Sequence, residues 1–203
     1  MAAHVREDLL SAGLAVFDRD GFEGATVAAI RKQARASNGS FFHVFASKKE
    51  LAGALFLDVL TQYHAAMLRA LAPPPGAKGG AQSEAEHGIG RLIRAHLDWV
   101  VNNRREARYL FEISRSEWAE HVRDAQRAEN ARFAQGIERW RGPLVARGEL
   151  LAMTPTLFLS QIIGPAQIFC RAFLSGRDGA DPRPQADTLV ACAVRALASG
   201  GSS

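Results

Sequence analysis

An all-α fold is what this sequence predicts, on three observations. Alanine and leucine together supply 56 of the 203 residues, against 24 for valine, isoleucine and threonine, a bias toward helix formers over β-branched strand formers. Apolar side chains recur at three-to-four spacing along most of the chain. Serine and threonine openings and glycine or proline closings fall at the ends of those periodic runs. An apolar content of 47% allows a sizeable core in one large or two small domains.

The first helix is read from residues 4–19, where Val5, Leu9, Ala12 and Val16 together with Leu10, Leu14 and Phe17 form a broad stripe that Gly21 ends. Gly13 inside it costs about 1 kcal/mol relative to alanine, so a close neighbour is expected there. Thr26 caps a short second helix bearing Val27, Ile30 and Ala34. After a tight turn, Ser37 opens a third helix with Phe41 and Phe42, followed by Phe45. Ser47-Lys48-Lys49-Glu50 reads as a capping box at the mouth of a fourth. Helices one to three are expected to pack around Leu14, Phe17, Phe22, Val27, Ile30 and Phe45.

Short helices joined by a tight turn are the requirement for placing one helix in a DNA major groove while another braces it. Between residues 26 and 50 Arg31, Lys32, Arg35, Lys48 and Lys49 stand against Glu50 alone, a local charge of +4 that equals the formal charge of the whole chain. Phosphate attraction is therefore concentrated in this head. Asn38 and His43 are the candidate base readers, and Thr26, Ser37 and Lys48 the candidate phosphate ligands, with Gly39, Ser40 and Phe42 completing the face.

Gly21-Phe22, Thr26, Ser37-Asn38-Gly39-Ser40-Phe41-Phe42 and Phe45-Ala46-Ser47-Lys48-Lys49-Glu50-Leu51 together resemble the TetR family of transcriptional regulators, over about the first quarter of the chain. Phe42 and Val44 stand where that family commonly has tyrosine and histidine or tyrosine, and each replacement deletes a phosphate hydrogen bond. The resemblance implies a helix-turn-helix DNA-binding bundle over 1–46, joined by a long fourth helix to a ligand-binding and dimerisation domain over 47–203. It also implies a homodimer on double-stranded operator DNA that is released by a small-molecule effector.

Leu51, Leu55, Val59, Tyr63 and Met67 carry the fourth helix to about Leu71, and Pro73 to Gly80 then breaks all periodicity. Ile89, Leu92, Ile93, His96, Leu97 and Val100 set the register of a fifth helix. A sixth is expected over 104–115 through Tyr109, Leu110, Phe111 and Ile113, and a seventh over 117–147, bent or interrupted at Gly142-Pro143. Trp99, Phe111, Trp118, Phe133 and Trp140 are the candidate walls of a site for a mainly apolar molecule, with His96 and Glu129 as polar anchors.

Thr154-Pro155 opens an eighth helix, kinked at Gly164-Pro165, and residues 185–198 form the last. Their apolar content exceeds the need of one core. Leu157, Phe158, Gln161, Ile162, Pro165, Ile168 and Phe169, with Leu189, Val190, Ala193 and Leu197, are the expected dimer seam.

Other chemistries leave little trace. The six histidines never form a His-Glu-x-x-His pair, and Cys170 and Cys192 have no ligand partner at zinc-finger spacing. No phosphate-cradling glycine loop or Gly-x-Ser-x-Gly elbow occurs. No catalytic residue, metal or cofactor is expected, and the cysteines are read as free thiols. With no window of roughly 18 apolar residues, a cytoplasmic protein is expected. A DNA-bound scaffold acting through a protein partner and an all-α enzyme are the competing classes.

Overall fold

A computed structural model describes residues 2–72, 83–112 and 118–198. Nine α-helices occur among them: α1 (Ala2–Gly24), α2 (Val27–Ala34), α3 (Asn38–Val44), α4 (Lys48–Leu71), α5 (Glu84–Asn102), α6 (Arg104–Phe111), α7 (Arg123–Ala146), α8 (Pro155–Ser175) and α9 (Ala186–Leu197). The Pro73–Gly80 breaker and Ile113 lie outside the described residues.

Contacts divide the chain into two compact units, 1–62 with 103–128, and 63–102 with 129–203. This division differs from the expected 46/47 boundary because the first half of α4 and all of α6 pack with the N-terminal helices. Gly13 explains the α4 half. A Cβ there would lie 2.6 Å from the Leu51 side chain, so its absence lets α4 seat directly on α1. For α6, Arg108 donates to the Asp18 carboxylate at 2.7 Å and the Tyr109 hydroxyl donates to the Ala52 carbonyl at 2.9 Å.

In the first unit Leu9, Phe17, Ile30, Phe41, Phe45 and Leu51 are buried, whereas Leu14 and Val27, expected at the centre, are half-buried. Gly21 adopts φ 68° and ψ 174°, a conformation costly for residues with a Cβ, and so turns the chain where the sequence ends the first helix.

In the second unit α5 packs against α8 and α9, with α8 also against α9. The α5 stripe Ile89, Leu92, Ile93, His96, Leu97 and Val100 is buried throughout. Trp140 of α7 lies over Gly88, where a Cβ would come within 2.0 Å of the indole, and meets Phe158 at 6.1 Å between ring centroids. Neither internal proline ends its helix: α7 runs through Pro143 to Ala146 and α8 through Pro165 to Ser175. Pro143 stands one turn from the end of α7, where only one backbone donor is lost and Gly148, at φ 73°, then closes the helix.

Candidate functional sites

Each short helix of the head is set by a side-chain cap. Thr26 Oγ1 accepts from the Ala29 amide at 3.1 Å and Ser37 Oγ from the Ser40 amide at 3.0 Å. Between them Arg35 takes the left-handed conformation, φ 53°, at a cost of roughly 1–2 kcal/mol for a residue with a Cβ. The Ala36 amide bonding the Arg31 carbonyl at 2.9 Å holds that turn. The α2–α3 pair is thus locked at both openings.

Thr26, Ser37, Asn38, Gly39, Phe42 and His43 are exposed on this pair, while Ser40 is half-buried with its hydroxyl 2.8 Å from that of Ser37. Phe42 is 50% exposed, and its ring meets the buried Phe41 edge-on at 5.2 Å. A Cβ added at Gly39 would meet only Ser37 Oγ, at 3.9 Å, so the N-terminal turn of α3 presents open backbone. That combination suits close approach to a duplex: exposed hydroxyls, an amide, an imidazole and helix N-terminal donors on a positively charged element.

Lys48 departs from the expected phosphate role. Its Nζ donates to the carbonyls of Phe22 at 2.7 Å and Ala25 at 2.8 Å and lies 4.4 Å from the Phe22 ring centroid. These carbonyls belong to the end of α1 and the following turn, whose lone pairs an ammonium satisfies best. Lys48→Ala is therefore expected to lower the stability of the head by about 1.5–3 kcal/mol, read as an earlier midpoint in urea unfolding. A change confined to the salt slope of DNA binding would return Lys48 to the phosphates. The capping box is also shifted: Ser47 Oγ accepts from the Glu50 amide as expected, but the Glu50 carboxylate reaches the Ala46 amide, at 2.7 Å.

The expected ligand residues fall into two groups. Trp118 and Phe111 belong to the first unit, where Trp118 is buried against Phe56 and Tyr109. They belong to a different compact unit from the other five, the one in which α6 packs against α1. His96, Trp99, Glu129, Phe133 and Trp140 all lie in the second unit. Tyr63 and His64 of α4, absent from the sequence expectations as site residues, bring four of those five together. The Tyr63 ring meets Trp99 at 5.0 Å, and its hydroxyl is 2.9 Å from His96 Nδ1. His64 stacks on Phe133 at 4.0 Å and places Nδ1 2.9 Å from Glu129 Oε1. Arg132 donates to the second Glu129 oxygen at 2.6 Å.

The electrostatics follow from burial. Desolvation pulls the His64 pKa down more than the Glu129 hydrogen bond lifts it. For Glu129 burial acts upward, yet hydrogen bonds from His64 and Arg132 hold it below the ordinary carboxylate value. Burial depresses His96 to about 4 and raises the Tyr63 hydroxyl. The Tyr63 hydroxyl is therefore hydrogen-bonded to a neutral His96. In the unfolded chain His96 takes a proton near pH 6.5, and in the folded chain only near 4. The unfolded state binds more protons between those values, so stability falls as pH falls from about 6.5 to about 4, by on the order of 3 kcal/mol. Urea unfolding at pH steps across this window measures the loss, and His96→Gln, which keeps a hydrogen-bond partner for Tyr63, should flatten it. An unchanged slope in that variant would refute the assignment.

The expected dimer seam divides along α8. Phe158 and Ile162 are buried in the second unit, as are Ala193 and Leu197 of α9, so these four are core rather than seam. Helical periodicity puts them on the side facing α5. Away from that buried face Leu157 and Ile168 are 49% and 64% exposed, with Gln161 and Pro165 exposed beside them, and Phe169, seven residues after Ile162, is 44% exposed. Leu189 and Val190 are half-buried. Contrary to the sequence expectation, α4 and α8 are long and apolar enough to cross a membrane by length and composition; 56% of that α4 window and 28% of the α8 window are buried. No group of metal-ligating side chains occurs among the described residues.

Residues 9–55 match the sequence profile described as bacterial regulatory proteins, tetR family. Among solved structures, the fatty acid degradation regulator FadR from Bacillus halodurans is similar, at 14% identity and TM-score 0.76, over 98% of this chain and 96% of that one. A TetR family transcription regulator from Marinobacter aquaeolei VT8 is similar at 18% identity and TM-score 0.73, over 97% of each chain. The transcriptional regulator FadR from Bacillus subtilis, solved in complex with stearoyl-CoA, is similar at 15% identity and TM-score 0.73, over 93% of this chain and 97% of that one. No curated protein sequence matches the chain.

Proposed function

We propose that this chain, whose residues 9–55 belong to the TetR family of bacterial regulatory proteins and whose fold is that of TetR-family regulators, is a homodimeric cytoplasmic repressor that a small ligand releases from DNA. The observation that carries the reading is the doubly capped α2–α3 pair, which presents Thr26, Ser37, Asn38, Gly39, Phe42 and His43 from the most positively charged stretch of the sequence. Its α3 enters the major groove. Two heads related by a two-fold axis read half-sites about one helical turn apart, roughly 34–36 Å, or a multiple of it.

The effector is a mainly apolar molecule held in the second unit at the Tyr63, His64, His96, Trp99, Glu129 and Phe133 cluster. Buried rings with a few convergent polar groups are the usual lining of such sites, and the Bacillus subtilis relative binding stearoyl-CoA supports a ligand with an extended apolar part. The protein performs no reaction. Selecting bound sequences from random duplex DNA, then repeating the binding with a library of apolar metabolites, tests both halves. Recovery of no enriched sequence would refute the DNA-reading half, and catalytic turnover of a library member would revive an enzyme.

A further inference from the structure

We propose that Arg31 is a positioning residue that sets the hydrogen-bonding polarity of Asn38, so that the head selects guanine over adenine at the base pair Asn38 faces. This rests on the reading of α3 as the helix in the major groove. Arg31 NH1 donates to Asn38 Oδ1 at 2.8 Å. A guanidinium has donors and no acceptor, so the amide has one orientation, oxygen toward Arg31 and nitrogen away from it.

The bond is well held. Arg31 is half-buried at the α2–α3 junction, and its Nε is buried without a partner. At the other end, Asn38 is the first residue of α3, directly after the Ser37 cap, so its backbone is fixed while its side chain is exposed. Two amide hydrogens are thereby presented outward from a defined point.

Reading adenine with both groups of an asparagine needs Oδ1 to accept from the N6 amino group while Nδ2 donates to N7. Oδ1 keeps a second lone pair beside the Arg31 bond, but an N6 amino group donating to it would stand next to the guanidinium, donor against donor. The guanine edge offers N7 and O6, both acceptors, which suits an outward-facing NH2. Guanine at this position should bind about ten- to a hundredfold more tightly than adenine, the range of one good base contact.

The test uses the full-length protein and the operator recovered by selection, with methylation of guanine N7 locating the contacted base. The wild type should lose about tenfold on replacement of that guanine by 7-deazaguanine, and ten- to a hundredfold on replacement by adenine. Arg31→Met frees the amide to turn. Its guanine-to-adenine ratio should fall to within about threefold, whatever uniform loss follows from the missing charge. Asn38→Asp keeps a partner for Arg31 but presents acceptors only, so its preference should move toward cytosine. Thermal unfolding of both variants confirms that the heads compared are folded.

A wild type that prefers adenine at this pair, or an Arg31→Met protein that keeps the guanine preference, overturns the inference while leaving the DNA-reading function intact. Loss of sequence-specific binding altogether in the wild type overturns that function, and this inference with it.

Discussion

Phe169→Glu is expected to convert the proposed dimer into folded monomers and to abolish tight operator binding. The α8 helix is apolar enough to span a membrane, yet little more than a quarter of its apolar window is buried within one chain. Leu157, Ile168 and Phe169 stand in the open along it. Covering such a face with its own copy removes the apolar area from water, about 1.5–3 kcal/mol for a large side chain. A carboxylate placed there loses that contribution and must also be desolvated without a partner. Two-fold symmetry applies the penalty twice, for a total on the order of 5 kcal/mol, or between 10³ and 10⁴ in the dimer dissociation constant. A single head holds one half-site and loses the second. Phe158→Glu separates the seam from the core, because Phe158 is buried against Trp140 and Arg141 inside one unit and its replacement should unfold that unit. Sedimentation showing full-strength Phe169→Glu dimers would place the seam elsewhere.

The helices were legible in the sequence wherever caps and period agreed. Thr26, Ser37 and Thr154 open their helices with the side-chain bonds their residue types imply, and every residue of the expected α5 stripe is buried. What the sequence concealed depends on contacts far apart in the chain. The ammonium of Lys48 serves carbonyls of the end of α1 and the following turn, more than twenty residues earlier, which no local pattern signals. Phe158 and Phe169 have the same chemistry, and only packing against α5 says which is core. Tyr63 and His64 were hidden for a related reason. Tyr63 completes an apolar stripe and therefore reads as core, while His64 lies beside the stripe and its partner Glu129 is 65 positions away. No local pattern signals a buried pair at that separation, and Glu129 already has a local partner in Arg132, three residues on.

Binding of the effector at the Tyr63–His64 cluster is expected to lower operator affinity by about two orders of magnitude or more, and Glu129→Gln to weaken that response without weakening DNA binding in its absence. The helix that carries Tyr63 and His64 is also the helix whose earlier residues belong to the head. α4 contributes residues up to Gln62 to the first unit and from Tyr63 onward to the second, and Leu51, Leu55 and Val59 on its first half are buried. A ligand that shifts Tyr63 and His64 therefore acts on a helix whose other half seats the reading head. Moving a population from 1:99 to 99:1 requires about 5.5 kcal/mol of preference for the released state. At about 25 cal/mol per Å², that corresponds to roughly 220 Å² of additional apolar surface covered in the released form, within reach of a long alkyl chain or a fused ring system. Glu129 supplies orientation: its carboxylate holds His64 and Arg132, and an amide in its place keeps the shape but removes the charge. The Glu129→Gln protein should then bind effector about ten- to a hundredfold more weakly, one charge-assisted bond being worth about 1.5–3 kcal/mol. Tryptophan quenching, with Trp99 5.0 Å from Tyr63, follows occupancy while fluorescence anisotropy of labelled operator follows release. If a ligand quenches Trp99 at low concentration and anisotropy does not change, α4 does not transmit binding, and a DNA-bound scaffold becomes the better account of this fold.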